Sequence, residues 1–195
     1  MAEQFRGVFP DEMMNDLPLI AFPGNIHVID DSGKVKSACD FLRQQPVMGF
    51  DTETRPSFKK GRINKVSLLQ LAVSDHAFLF RLNYIGLPQE IISILSDKNI
   101  LKIGLAVRDD LNHLKKLASF DPESFIDLQK VAGEFGIEEK SLKKLAAIVL
   151  GKRIKKGQQT SNWESPQLTE AQRIYAATDA WVCYEIYKVL QSCRR

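Results

Sequence analysis

Pro46-Val47-Met48-Gly49-Phe50-Asp51-Thr52-Glu53-Thr54-Arg55-Pro56 reads as an apolar strand that ends in two acids. Alternate side chains of an extended chain share a face, so Met48, Phe50 and Thr52 point one way and Gly49, Asp51 and Glu53 the other. The two carboxylates then stand about 6.6 Å apart along the strand, at roughly 3.3 Å per residue. Half buried and that close, they repel unless a proton or a cation lies between them. A divalent metal is the natural occupant. The competing reading is an edge strand whose acids merely end in solvent.

Upstream, Ile26 to Ile29 is a short strand, and Ser32 to Gln44 has helical spacing, with Ser32 as a possible cap and Val35, Ala38, Cys39 and Leu42 on one face. Pro46 stops that helix. Residues 1–25 hold Pro10, Pro18 and Pro23 with scattered apolar groups and read as an extended arm lying on a globular domain over 26–195. Downstream, a basic loop with Lys59, Lys60, Arg62 and Lys65 leads into strands at Val66 to Val73 and Ala77 to Arg81, an antiparallel meander. The pattern then alternates: a helix near Pro88 to Ser96, a strand Leu101 to Gly104, a helix Val107 to Ala118, a strand Phe125 to Leu128, and helices. That order favours parallel pairing, so the fold class is α/β with a mixed sheet flanked by helices. Ser141 to Leu150 is an amphipathic helix closed by Gly151. A second basic loop, with Lys152, Arg153, Lys155 and Lys156, ends at Trp163, and Thr169 with Gln172 forms a capping box for a helix to about Leu190.

At 195 residues, 44% of them hydrophobic, the chain can bury the core of one domain but not comfortably of two. A net charge of +3 does not by itself announce a polyanion partner, so the clustering of the cations carries that question. Cys39, Cys183 and Cys193 are odd in number and widely spaced, which argues for a reducing compartment and against a disulfide or zinc framework. The first residues carry no signal-peptide pattern, and no segment is apolar over a bilayer's thickness. The expectation is a soluble, cytoplasmic protein with no membrane contact.

In the last helix, Tyr175, Asp179, Val182, Ile186 and Val189 recur at helical spacing, so an acid interrupts an inward stripe. An Asp is rarely buried without a partner, and Asp179 should meet something positive at the sheet. An exposed Asp beside a core Tyr is the bland alternative. Val107, Asp110, Leu111 and Leu114 repeat the device, which selects Asp110 over Asp109, with first-turn capping as the alternative. Four acids from a strand and two helices suit oxygen-preferring cations, magnesium or manganese.

At this point the chain resembles the DEDD 3′–5′ exonucleases of the subclass with Tyr in the third motif. The likeness rests on Asp51-Thr52-Glu53, on Asp110 within Lys102-Ile103-Gly104-Leu105-Ala106-Val107-Arg108-Asp109-Asp110-Leu111, and on Tyr175-Ala176-Ala177-Thr178-Asp179. It covers roughly residues 26 to 190 and is nearest to the ribonuclease D group and the Werner helicase exonuclease domain. The Asn and aromatic residue that precede the second-motif Asp in polymerase proofreading domains are absent. The resemblance implies a ribonuclease-H-like sheet and hydrolysis of terminal phosphodiesters by two metals. It also implies that Asp51, Glu53 and Asp179 bind one ion, that Asp51 bridges to a second beside Asp110, and that Tyr175 orients or helps deprotonate the attacking water.

The implied partner is a nucleic acid with a free 3′ end, single-stranded or recessed. Thr52, Lys59, Lys60, Arg62, Lys65, Lys155, Lys156 and Trp163, with Lys152 and Arg153, are candidate contacts: cations for phosphates, Trp163 for stacking on a base or packing beside the terminal nucleotide. The alternative is a solvated surface and a core Trp. Two other functions stay open on sequence: a nucleic-acid-binding module that does not cut, and a haloacid-dehalogenase-like phosphatase, which would need a second Asp where Glu53 stands.

Overall fold

The computed structural model describes residues 5–57, 64–155 and 157–194. In chain order the elements are β1 (Leu19–Ile20), β2 (Asn25–Ile29), α1 (Ser32–Leu42), β3 (Val47–Thr54), β4 (Val66–Ala72), β5 (His76–Phe80), α2 (Leu82–Ile85), α3 (Gln89–Leu95), β6 (Leu101–Gly104), α4 (Val107–Leu114), β7 (Phe125–Asp127), α5 (Leu128–Glu134), α6 (Leu142–Leu150), β8 (Arg153–Ile154) and α7 (Glu170–Ser192). A six-stranded sheet runs β2-β5-β4-β3-β6-β7. β3, β4 and β5 form the antiparallel meander, while β2 joins β5, and β6 and β7 join β3, in parallel. The mixed α/β architecture is the one the element pattern predicts.

Two apolar layers enclose the sheet. On one face α1, α3 and α4 contribute Val35, Leu42, Ile91, Leu95 and Leu114 against Met48, Phe50, Leu69 and Leu71. On the other, α5, α6 and α7 cover Leu68, Ala72, Leu79 and Ile103. Alternation along β3 therefore holds: Met48 and Phe50 enter the first layer, and Gly49 lies under α7, where a Cβ would sit 1.8 Å from the Ala180 carbonyl oxygen. The fully buried Ala176, Ala177 and Ala180 continue this close approach of helix to strand.

Local signals set the helix ends. Thr169 and Gln172 form both bonds of the capping box, and Ser141 caps α6, which Gly151 closes at φ 61°. At α1 the cap is Asp31, not Ser32: its carboxylate accepts from Gly33 N at 2.7 Å. The segment before β2 is pinned at several points. β1 pairs in parallel with β8, Phe9 and Phe22 are buried, and Phe22 N donates to Thr178 Oγ1 at 3.0 Å. All three cysteines are free thiols. Among the described residues no helix is long and apolar enough to cross a membrane.

Candidate active site

β3 delivers Asp51 and Glu53 to the face beneath α7, and α7, held close by its alanines, delivers Asp179 to the same point. One oxygen from each of these carboxylates lies within 4.8 Å of the others. Asp110 comes from the first turn of α4, and Thr52 Oγ1 donates to its Oδ1 at 2.5 Å. That turn is entered through Ala106, a non-glycine residue at φ 52°, a conformation that costs an L-residue about 1–2 kcal/mol. Ala106 N donates to Asp127 Oδ1 at 3.2 Å, and the same oxygen caps α5 through Gln129 N at 3.0 Å. One buried-edge carboxylate thus fixes the entry to two helices and, through α4, the place of Asp110. The neighbouring Asp109 is exposed.

The electrostatics follow from crowding acids away from water. Burial, then Asp179, Glu53 and Asp110, push the Asp51 carboxyl well above the ordinary carboxylate range. Glu53, 9% exposed, is pushed up to about 9 by burial and by Asp179 and Asp110. Burial raises Asp179 to about 7 against the opposing pull of the Tyr175 hydroxyl and Lys143, and raises Asp110 to about 6 against the Thr52 hydrogen bond. Tyr175 is raised far beyond the usual phenol range by burial and then by Asp179 and Glu53, so it keeps its proton at neutral pH. Convergent, poorly solvated oxygen donors of like charge are the donor set that a hard divalent cation satisfies.

Asp51, Thr52, Glu53, Tyr175 and Asp179 line a cleft of about 340 Å³, with Leu105, Ser141, Leu142, Lys143, Ile154, Gln159 and Cys183 completing its walls. Beside it, sharing Tyr175 and Ile154, is a smaller apolar hollow walled by Ile20, Ala21, Ile174 and the exposed Lys155. The structure therefore gathers Asp51, Glu53, Asp179 and Tyr175, with Thr52 and Asp110 adjoining and Lys155 at the rim. Lys65 is exposed at the foot of β4. Lys59, Lys60, Arg62 and Lys156 lie outside the described residues.

Two of the candidate contacts have partners within the chain. Trp163 presents no surface to a base: it is fully buried, its ring 6.2 Å from that of Tyr175 at 35°. The hydrophobic gain from enclosing an indole outweighs the polar character of the loop around it. Arg153 serves the chain itself, donating from Nε to Leu17 O at 2.8 Å and from its backbone N to Pro18 O at 3.0 Å. Sequence reading also missed Lys143, a cation that acts on Asp179 from α6, and Cys183, although its place four residues after Asp179 put it on the same helical stripe.

The sequence profile of a family described as 3′–5′ exonuclease matches residues 26–193. The chain belongs to this 3′–5′ exonuclease family. The chain is 36% identical over 192 residues to the mouse (Mus musculus) bifunctional 3′-5′ exonuclease/ATP-dependent helicase WRN, covering 90% of this chain and 13% of that protein. Its fold superposes on the Nibbler EXO domain of Aedes aegypti with a TM-score of 0.80 at 25% identity, covering 89% of this chain and 92% of the other. Escherichia coli RNase D, an exoribonuclease involved in structured RNA processing, gives 0.78 at 25% identity, covering 87% and 45%. The chain spans about half or less of the length of these curated relatives. Membership sets aside the phosphatase alternative.

Proposed function

We propose that this chain is a metal-dependent 3′–5′ exonuclease of the Tyr-containing DEDD subclass that hydrolyses the terminal phosphodiester of DNA or RNA and releases nucleoside 5′-monophosphates. The observation that carries the reading is the convergence of Asp51, Glu53 and Asp179 to within 4.8 Å beside Tyr175 in an open cleft, within a chain of this family. Asp51, Glu53 and Asp179 would hold one magnesium or manganese ion, and Asp51 with Asp110 a second. When bound, such ions lower the pKa of water and stabilise charge on phosphoryl oxygens.

The chain's own groups do the rest. Tyr175, protonated and facing Asp179, donates its O–H to the attacking water and fixes its approach. Lys143, across the cleft, offsets the charge of the scissile phosphate. Thr52 holds Asp110 in place, and Trp163 packs against Tyr175 and limits its motion. Lys65 and Lys155, with Lys59, Lys60, Arg62 and Lys156, guide the strand by its phosphates, a single-stranded or recessed 3′ end being the substrate. Residues 26–195 would be the exonuclease domain and 1–25 its N-terminal arm, and the cysteines fit a reducing cytoplasm.

The test is a time course on end-labelled single-stranded DNA, RNA and recessed duplexes, with magnesium, manganese or chelator. Single-nucleotide shortening from the 3′ end that needs metal and is lost in Asp51→Asn is the expected result. Cleavage that survives chelation or the substitution overturns the two-metal reading, and binding without cleavage favours a silent nucleic-acid-binding module.

A further inference from the structure

β4 is buried along its whole length, and six of its seven residues suit that position: five are apolar and Ser67 is small. The exception is Gln70. Its neighbours at two-residue spacing, Leu68 and Ala72, lie in the layer under α7, so Gln70 points to the same face as the acids. In the antiparallel register Gln70 stands directly opposite Asp51, while Leu68 faces Glu53 and Ala72 faces Gly49. Side chains so paired have Cβ atoms about 4.5–5.5 Å apart. Gln70 is fully buried, and neither Nε2 nor Oε1 has a hydrogen-bond partner among the described residues. An amide in that state carries its full desolvation penalty, which a methionine of nearly the same shape would not.

We infer that Gln70 is a positioning residue for Asp51: by rotating about its side-chain torsions it donates Nε2–H to the carboxylate when that carboxylate is ligating, and so fixes the direction in which the ligand oxygen points. The inference rests on the metal-binding reading given under Proposed function. Asp51 has lone pairs to spare after engaging a cation, and an amide donor at cross-strand distance can reach one of them without backbone movement. Thr52 steadies Asp110 with a hydroxyl in the same manner. The amide is thus unfavourable to the metal-free fold and favourable to the loaded site, which gives stability and metal affinity opposite signs.

The test compares the parental protein with Gln70→Met, and with Gln70→Leu should the first fail to fold. Manganese binding is followed by calorimetric titration and thermal melting is recorded in chelator. The expected result is an unchanged or raised melting temperature without metal, together with manganese affinity weakened by about 10- to 100-fold, the usual effect of removing a group that orients a metal ligand. The metal concentration for half-maximal cleavage should move by the same factor, with the KM for the nucleic acid unchanged. Parental manganese affinity in the variant overturns the assignment. So does a lowered melting temperature with unchanged affinity, which would make the amide a core element only. Absence of manganese binding to the parental protein overturns the metal reading itself and takes this inference with it.

Discussion

Gly49→Ala changes one hydrogen to a methyl group, yet the structure makes it a test of how the site is assembled. The added Cβ would lie 1.8 Å from Ala180 O and 2.7 Å from Ala180 C, both backbone atoms, whereas ordinary contact begins near 3.4 Å. Strand and helix must therefore part locally by about 1.2 to 1.6 Å, because no side chain can rotate out of the way. Asp179 adjoins Ala180, and its oxygen is within 4.8 Å of those of Asp51 and Glu53, so the displacement falls on the acid cluster. Metal–ligand distances tolerate only about 0.2 Å. A misplacement of about 1 Å can cost some 10²-fold in rate, and overpacking of this kind about 1–3 kcal/mol in stability. Single-turnover cleavage, manganese titration and chemical denaturation of the variant measure the three effects together. Gly133→Ala is the control: it lies in α5 with nothing within 4 Å of the new Cβ and should stabilise by about 0.5–1 kcal/mol. A Gly49→Ala protein that cleaves and binds metal as the parent does would refute the claim that close approach of α7 to β3 builds the site.

Stability in chelator should fall as pH rises from about 4 to 9. Glu53, Asp179 and Asp110 have folded-state values of about 9, 7 and 6, above their unfolded ones, so the folded chain holds more protons across that window. Saturating magnesium should remove the slope, and melting curves that are flat with pH in chelator would count against the crowded-acid account. Tyr175→Phe keeps the ring against Trp163 and should slow single-turnover cleavage by about 10² to 10⁴-fold with manganese affinity unchanged; a parental rate would leave Tyr175 a packing residue. Neutralising Lys59, Lys60, Arg62 and Lys65 should flatten the dependence of log affinity on log salt by about 0.7 for every phosphate the loop ceases to neutralise, and an unchanged slope would remove that loop from the binding path.

The features that were legible in the sequence are those whose cause is local or periodic. Two-residue alternation placed Asp51 and Glu53 together and Phe50 away from them, and helical spacing placed Asp179 inward and chose Asp110 over Asp109. Gly151 and the Thr169–Gln172 pair declare helix ends through their own backbone requirements. What escaped depends on partners distant in the chain. β1 and β8 are two residues each and exist only because segments more than 130 residues apart meet. Asp31 and Ser32 are both competent caps, and only the backbone at Asp31 decides between them. The polar loop around Trp163 left a stacking and a core reading both open, which only its burial beside Tyr175 separates, and Gln70 reads as an ordinary strand residue until the register sets it against Asp51.

The small residues and the acids are two parts of one device. Gly49 with Ala176, Ala177 and Ala180 lets α7 approach β3 more closely than larger side chains would permit, and that approach forces three carboxylates into one poorly hydrated place. Among the described residues only Lys143 acts on them as a cation, through Asp179, while Arg81 is committed to the carbonyls of Ser165 and Pro166. The cost of crowding the acids is consequently borne by the packing of the two apolar layers. A cation that binds only the folded arrangement stabilises it by mass action, and its arrival removes the penalty that the upward carboxylate shifts express. Affinity for metal and the pH-dependent weakness of the metal-free fold therefore have a common origin. Substitutions that spread the acids apart should weaken both together, whereas substitutions in the apolar layer on the opposite face of the sheet, at Leu42 or Ile91, should lower stability alone.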